Sequence, residues 1–167
     1  MTDVVKGVIL WCWRKKSGIK ITSPNENLCN AYLKKANDAL KSMNLNLSGG
    51  LYDWAVEAAY YSRYHAIYAL LQKCGIQSEI HDCSIVSIKY LFANKISEEL
   101  IKELEETKNQ RKNLIYYVNR EVKETDMKKN FETAPKFVLA IEKIISELKQ
   151  EEIKQIIQTL SSTINKW

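Results

Sequence analysis

An arginine stands where the chain ought to be apolar. Hydrophobic residues recur at helical spacing at Leu100, Leu104, Leu114, Ile115, Val118 and Val122, and Thr107 and Arg111 occupy the stripe positions between Leu104 and Leu114. A guanidinium on a buried stripe is costly unless it is paired or reaches water. Two arrangements satisfy it. Lining a cleft, Arg111 offers a planar fork of donors that meets a phosphate bidentately. Held structurally, it pairs with a carboxylate from another helix, Glu57 being one candidate, or snorkels to the surface. Tyr116 and Tyr117 follow, and their phenols can donate hydrogen bonds or stack on a base. Five residues on an ideal helix is about 140° of rotation. Arg111 and Tyr116 therefore share no straight face, and a joint site needs a bend or a second copy of the chain. Of the two histidines, His65 lies inside a helix, where packing explains it, and His81 lies near a helix start bordering a possible cleft. The candidate binding residues are Arg111, Tyr116, Tyr117 and His81; Arg111 and Tyr116 are also the only candidates for catalysis.

The elements that position them read as helices throughout. Residues 55–71, AVEAAYYSRYHAIYALL, contain no breaker. Ala55, Ala58, Ala59, Ser62, Ala66 and Ala69 fall on one side at helical spacing; Tyr60, Tyr64 and Tyr68 fall on another. A helix apolar nearly all round is buried on most sides, so this is the central helix, spanning about residues 51–74 and stopping at Gly75. Before it, residues 3–16 read as a helical arm ending in Arg14-Lys15-Lys16, broken by Gly18 and followed by the extended Ile19-Lys20-Ile21. Ser23-Pro24-Asn25 opens the next helix, with Pro24 in the first-turn region and a buried stripe of Leu28, Tyr32, Leu33, Ala36, Ala39, Leu40 and Met43. Asn44–Gly50 reads as a polar turn. After the central helix, Asp82 or Ser84 caps a short helix carrying Ile85, Ile88, Leu91 and Phe92. Ser97 starts the Arg111 helix. Thr133 caps the last one, with Pro135 just inside its start, and the phase of its stripe slips near Glu151-Glu152, predicting a kink or loop there. The fold class is all-α: an up-and-down bundle of about five helices over residues 23–167, preceded by an N-terminal arm over 1–22.

The composition agrees. A chain of 167 residues suggests one domain able to bury its own core, and only 5 glycines and 2 prolines argue against a sheet protein. A net charge of +5 is compatible with an anionic partner and equally with solubility alone. Cys12, Cys29, Cys74 and Cys83 form no C-x-x-C pair, and two histidines are too few for a zinc cage, so no metal site and no cofactor is expected. Four reduced thiols in or near a core are expected instead, as in an intracellular protein. The apolar run Val8–Trp13 is too short and wrongly flanked for a signal peptide, and no stretch approaches the roughly 20 apolar residues of a membrane span. A soluble, cytoplasmic protein is the expectation.

Three stretches together resemble the HEPN family, the nucleotide-binding helical domains of higher eukaryotes and prokaryotes. They are AAYYSRYHAIYALLQKCGI, then His81 after a loop, then QRKNLIYY on a later helix. The layout covers about residues 26–145 and is most similar to the prokaryotic single-domain members. The resemblance implies a helical bundle, often a homodimer, with Arg-bearing helices lining a shared cleft. Ribonuclease members carry an Arg, four to six residues, then His; many are toxins of toxin–antitoxin systems or partner a minimal nucleotidyltransferase. Here Arg111 matches the Arg, but Tyr116 stands where the His is expected, with Tyr117 and Val118 at the other allowed spacings.

That departure matters. Cleavage through the RNA 2′-hydroxyl needs a group exchanging protons near neutral pH, as histidine does, and tyrosine titrates near 10. The reading favoured here is a non-catalytic module binding a nucleotide, RNA or a nucleotidyltransferase partner through Arg111. The alternatives are a metal-independent endoribonuclease using Arg111 and Tyr116, with help from His81, and a helical interaction scaffold using Trp11, Trp13 and the basic arm.

Overall fold

The computed structural model describes residues 3–116 and 124–165. Seven helices follow in order: α1 (Asp3–Arg14), α2 (Glu26–Ser48), α3 (Tyr52–Lys73), α4 (His81–Leu91), α5 (Glu98–Tyr116), α6 (Glu124–Glu147) and α7 (Gln150–Ile164). The only sheet among the described residues is a two-residue pairing of β1 (Lys20–Ile21) with β2 (Ile76–Gln77), antiparallel, with Ile21 opposite Ile76. The all-α bundle is therefore as expected. The count rises from five plus an arm to seven because the last predicted helix divides: the slip in its stripe is a break at Leu148-Lys149. Both halves of that stripe are buried, Val138, Ile141 and Ile145 on α6, Leu148 in the break, and Ile153, Ile156 and Leu160 on α7.

The central helix is what the run at 55–71 required. Ala59, Tyr60, Ser62, Ala66, Ile67, Ala69, Leu70 and Leu71 are fully buried. The alanines admit α2, α5 and α6 at close range, and α3 packs against all three. Gly75 ends it with φ of +73°. A side chain there would collide with the Thr22 carbonyl, so the glycine is required twice over, by conformation and by the approach of the β1 segment.

Several local readings are corrected. α2 continues to Ser48 rather than turning at Asn44; the Asn46 side-chain amide donates to the Ser42 carbonyl at 2.9 Å within it, and the chain leaves the helix only at Gly49 and Gly50. Asn25 is its N-cap, accepting from the Leu28 N–H at 2.9 Å, so Pro24 precedes the helix. The buried positions of α2 are Cys29, Ala36 and Met43, seven apart, while Leu28 is exposed. α4 begins at His81 with neither Asp82 nor Ser84 as a side-chain cap; the Ser84 hydroxyl lies against Tyr64 instead. Pro135 is interior to α6, and Thr133 is not its cap, since its hydroxyl accepts a bond from α3. The hydrogen bond that Pro135 forgoes is offset by Ala134, Phe137 and Val138, all buried beside it.

The expectation of four reduced thiols is also overturned. α1 packs on α4 with Ile9 and Cys12 fully buried, and Cys12 is joined to Cys83 as a disulfide, their Cα atoms 5.6 Å apart. The sequence separation of 71 hid the pairing from any spacing rule. Cys29 and Cys74 remain free and buried, and burial pushes their thiols up to about 11 and about 12. No helix among the described residues is long and apolar enough to cross a membrane.

Arg63 is the largest fully buried side chain. Its Nε and Nη2 donate to Glu103 Oε1 at 2.7 and 2.5 Å, Nη1 to the Ala59 carbonyl at 2.8 Å, and Nη2 also to Thr133 Oγ1 at 2.8 Å. One guanidinium thus joins α3, α5 and α6. Breaking a buried pair by removing one partner costs about 3–5 kcal/mol. Arg63→Met is expected to lower the unfolding free energy by about 3 kcal/mol, the lower end because Glu103 keeps a route to water. Urea denaturation with an unchanged slope checks this.

Candidate functional site: an arginine on a tyrosine face

The side of α3 that faces α5 and the start of α4 carries Trp54, Glu57, Tyr60, Tyr61, Tyr64 and His65, each at helical spacing from the next turn. Arg111 of α5 lies across it. Its Nε donates to Glu57 Oε1 at 3.3 Å and its Nη2 to the Tyr61 hydroxyl at 3.1 Å. The guanidinium carbon sits 5.0 Å from the centre of the Tyr61 ring and 5.5 Å from that of Tyr60, within cation–π range. The ion pair with Glu57 foreseen from the misplaced charge is present. It is not sealed, since the side chains retain 22% and 24% exposure, enough for a ligand to reach them. Nη1 makes no hydrogen bond among the described residues.

His81 joins the same cluster from the first turn of α4. Its Nδ1 lies 2.7 Å from the Tyr60 hydroxyl, and its ring stacks on Tyr64 with centroids 3.9 Å apart. Burial, then the positive charges of Arg111 and Lys108, push its pKa below the ordinary histidine value. The imidazole is therefore neutral at pH 7. Tyr60 is fully buried, and desolvation raises its phenol, so it stays protonated and can donate to Nδ1. The imidazole proton then sits on Nε2. Lys108 forms an ion pair with Asp82 beside this histidine. Arg111 and His81, 30 residues apart in the sequence, are thus linked through one tyrosine ring.

A cleft of about 260 Å³ opens next to the guanidinium, lined by Asp53, Trp54, Glu57, Arg111 and Leu114. Of the other sequence candidates, Tyr116 is the last residue of α5. Its side chain lies outside the described residues, as does Tyr117 altogether. Among the described residues, no three of His, Cys, Asp and Glu converge as a metal-binding group.

Two residues escaped the sequence reading. Arg63 is structural, and the signal for it was present: a helix buried all round that contains one arginine must supply that arginine with a partner. Trp54 lines the cleft although 61% exposed. Nothing in its spacing sets it apart; only the structure places it opposite Arg111.

An all-α bundle with an arginine-bearing helix laid over a tyrosine-rich central helix defines the class of protein. The HEPN domain model matches residues 29–145, and the chain belongs to that family. No curated protein matches it.

His65 sits between the rings of Tyr61 (5.6 Å) and Tyr32 (5.8 Å), and its buried Nδ1 has no hydrogen-bond partner. Desolvation, then Lys35 and His81, lower its pKa to about 4. The unfolded chain binds the proton near 6.5 and the folded one only near 4, so His65 favours the folded state above 6.5, and this contribution is lost as pH falls from about 6.5 to 4. The midpoint of thermal unfolding is expected to drop between pH 7 and 5, and His65→Phe to flatten that dependence. Calorimetry at the two pH values checks it; an identical drop in the variant would contradict it.

Proposed function

We propose that this chain is a non-catalytic binding module of the HEPN family that takes a nucleotide or RNA phosphate at Arg111. The observation that supports this most is the state of that arginine: fixed by Glu57 and Tyr61, backed by two tyrosine rings, and still presenting unpaired N–H donors to a cleft. A snorkelling side chain would be loose, and a sealed structural pair would resemble Arg63. The fork of Arg111 is instead pre-oriented, which lowers the cost of ordering it on binding. Tyr116 and Tyr117 complete the contacts in this reading. Because Tyr116 shares no straight face with Arg111, a homodimer brings the tyrosine of one copy to the arginine of the other. Residues 1–22 act as an arm clasped to the bundle of 23–167. A nucleotidyltransferase is the protein partner that would exploit the same surface.

One observation favours a second reading, a metal-independent endoribonuclease. His81 stands beside Arg111, so a neutral imidazole is present even though the motif position holds Tyr116. Nε2 already carries the proton and Nδ1, the one nitrogen that could accept another, is engaged by Tyr60, so the imidazole is a poor base.

Purified protein incubated with RNA in EDTA is expected to leave the RNA intact. The same protein is expected to bind labelled RNA or ATP with an affinity that falls about tenfold in Arg111→Ala, as loss of a charge-assisted contact implies. Cleavage that disappears in both Arg111→Ala and His81→Ala would establish the ribonuclease reading instead. Binding unaffected by Arg111→Ala would refute the assignment of the cleft.

A further inference from the structure

The cleft beside Arg111 is poorly built for a phosphate alone. Asp53 and Glu57 both line it, against one guanidinium, so its own charge is net negative. Asp53 is exposed and forms no ion pair or hydrogen bond among the described residues. A bare anion entering it meets an unneutralised carboxylate. Trp54, the next residue of α3, also lines the cleft, with 61% of its surface exposed. A large, flat, exposed aromatic ring next to carboxylate acceptors suits a planar ring that carries N–H donors on its edge.

We infer that Trp54 is a stacking platform for one unpaired nucleobase of single-stranded RNA, with Asp53 accepting from the edge of that base and Arg111 taking the adjacent phosphate. The inference rests on the binding role proposed for Arg111 and adds the part of the ligand that gives affinity. The cleft of about 260 Å³ has room for a single base. Trp54, Glu57 and Tyr61 occupy successive turns of α3, so the platform and the arginine's cradle form one continuous stripe. A base on Trp54 and a phosphate on Arg111 therefore lie side by side, as neighbouring groups of one nucleotide do. Duplex RNA keeps its bases stacked and presents none to the ring.

The test is fluorescence-anisotropy binding of a labelled 12-nucleotide single-stranded RNA by the full chain, in the wild type, Trp54→Ala, Trp54→Phe and Arg111→Ala. Stacking of a base on an aromatic ring implies about a tenfold loss in Trp54→Ala, with most of the affinity kept in Trp54→Phe. The same RNA annealed as a blunt duplex is expected to compete poorly. Unchanged affinity in Trp54→Ala, or equal competition by the duplex, overturns the inference. So does a change of sedimentation in Trp54→Ala, which would assign the ring to a contact between copies. If Trp54→Ala weakens binding and Arg111→Ala does not, the platform stands and the role of Arg111 falls; the reverse pattern overturns the platform alone. Failure of the wild type to bind either RNA overturns both.

Discussion

Two ion pairs cross between α3 and α5, and they fix everything that surrounds the candidate site. Arg63 of α3 meets Glu103 of α5, and Glu57 of α3 meets Arg111 of α5. The order along the chains is opposed, so the helices run antiparallel and each pair sets the register of the other. The chemistry of the two is the same, but the setting is not. Arg63 is fully buried with every donor group engaged. Isolated from water, such a charge is tolerated only because its partners are complete. Arg111 is half-open, and its pair with Glu57 uses one N–H of five. The closed pair holds the helices; the open one is held by them.

The tyrosines convert that scaffold into an electrostatic environment. Tyr60 and Tyr61 lay their π faces against the Arg111 guanidinium, and Tyr60 turns its hydroxyl to His81. The positive charges of Arg111 and Lys108 in turn help to keep His81 neutral. A neutral imidazole that accepts at Nδ1 carries its proton on Nε2. As a proton acceptor it is compromised, because its free nitrogen already faces a phenol. The binding role proposed for Arg111 asks no proton transfer of this imidazole.

Much of this was legible in the residues. The breaker-free run at 55–71 predicted a helix buried on most sides, and the stripes of α4, α6 and α7 are buried as their periodicity required. The displaced Arg111 signalled a partner, and Glu57 is that partner. What could not be read depended on tertiary proximity. Cys12 and Cys83 meet only because α1 folds onto α4. His81 reaches Arg111 through Tyr60, across three separate helices. Thr133 followed by Pro135 carries the local signature of a helix start, yet Thr133 serves Arg63 and the helix runs through. Local rules describe what a segment prefers when nothing else claims its side chains, and here other helices claimed them.

The central claim is that Arg111 and His81 form one ligand-facing unit on the tyrosine face of α3. The chain's two histidines make it directly measurable: His81 meets Tyr60 beside Arg111, while His65 is packed between Tyr61 and Tyr32. Imidazole nitrogen resonances can be followed by NMR as single-stranded RNA is added to the intact protein. The account predicts that the His81 signal moves in a saturable manner and further than the His65 signal, and that Arg111→Ala abolishes the His81 response. Saturable binding that leaves His81 unmoved, or that moves it equally in Arg111→Ala, would contradict the account.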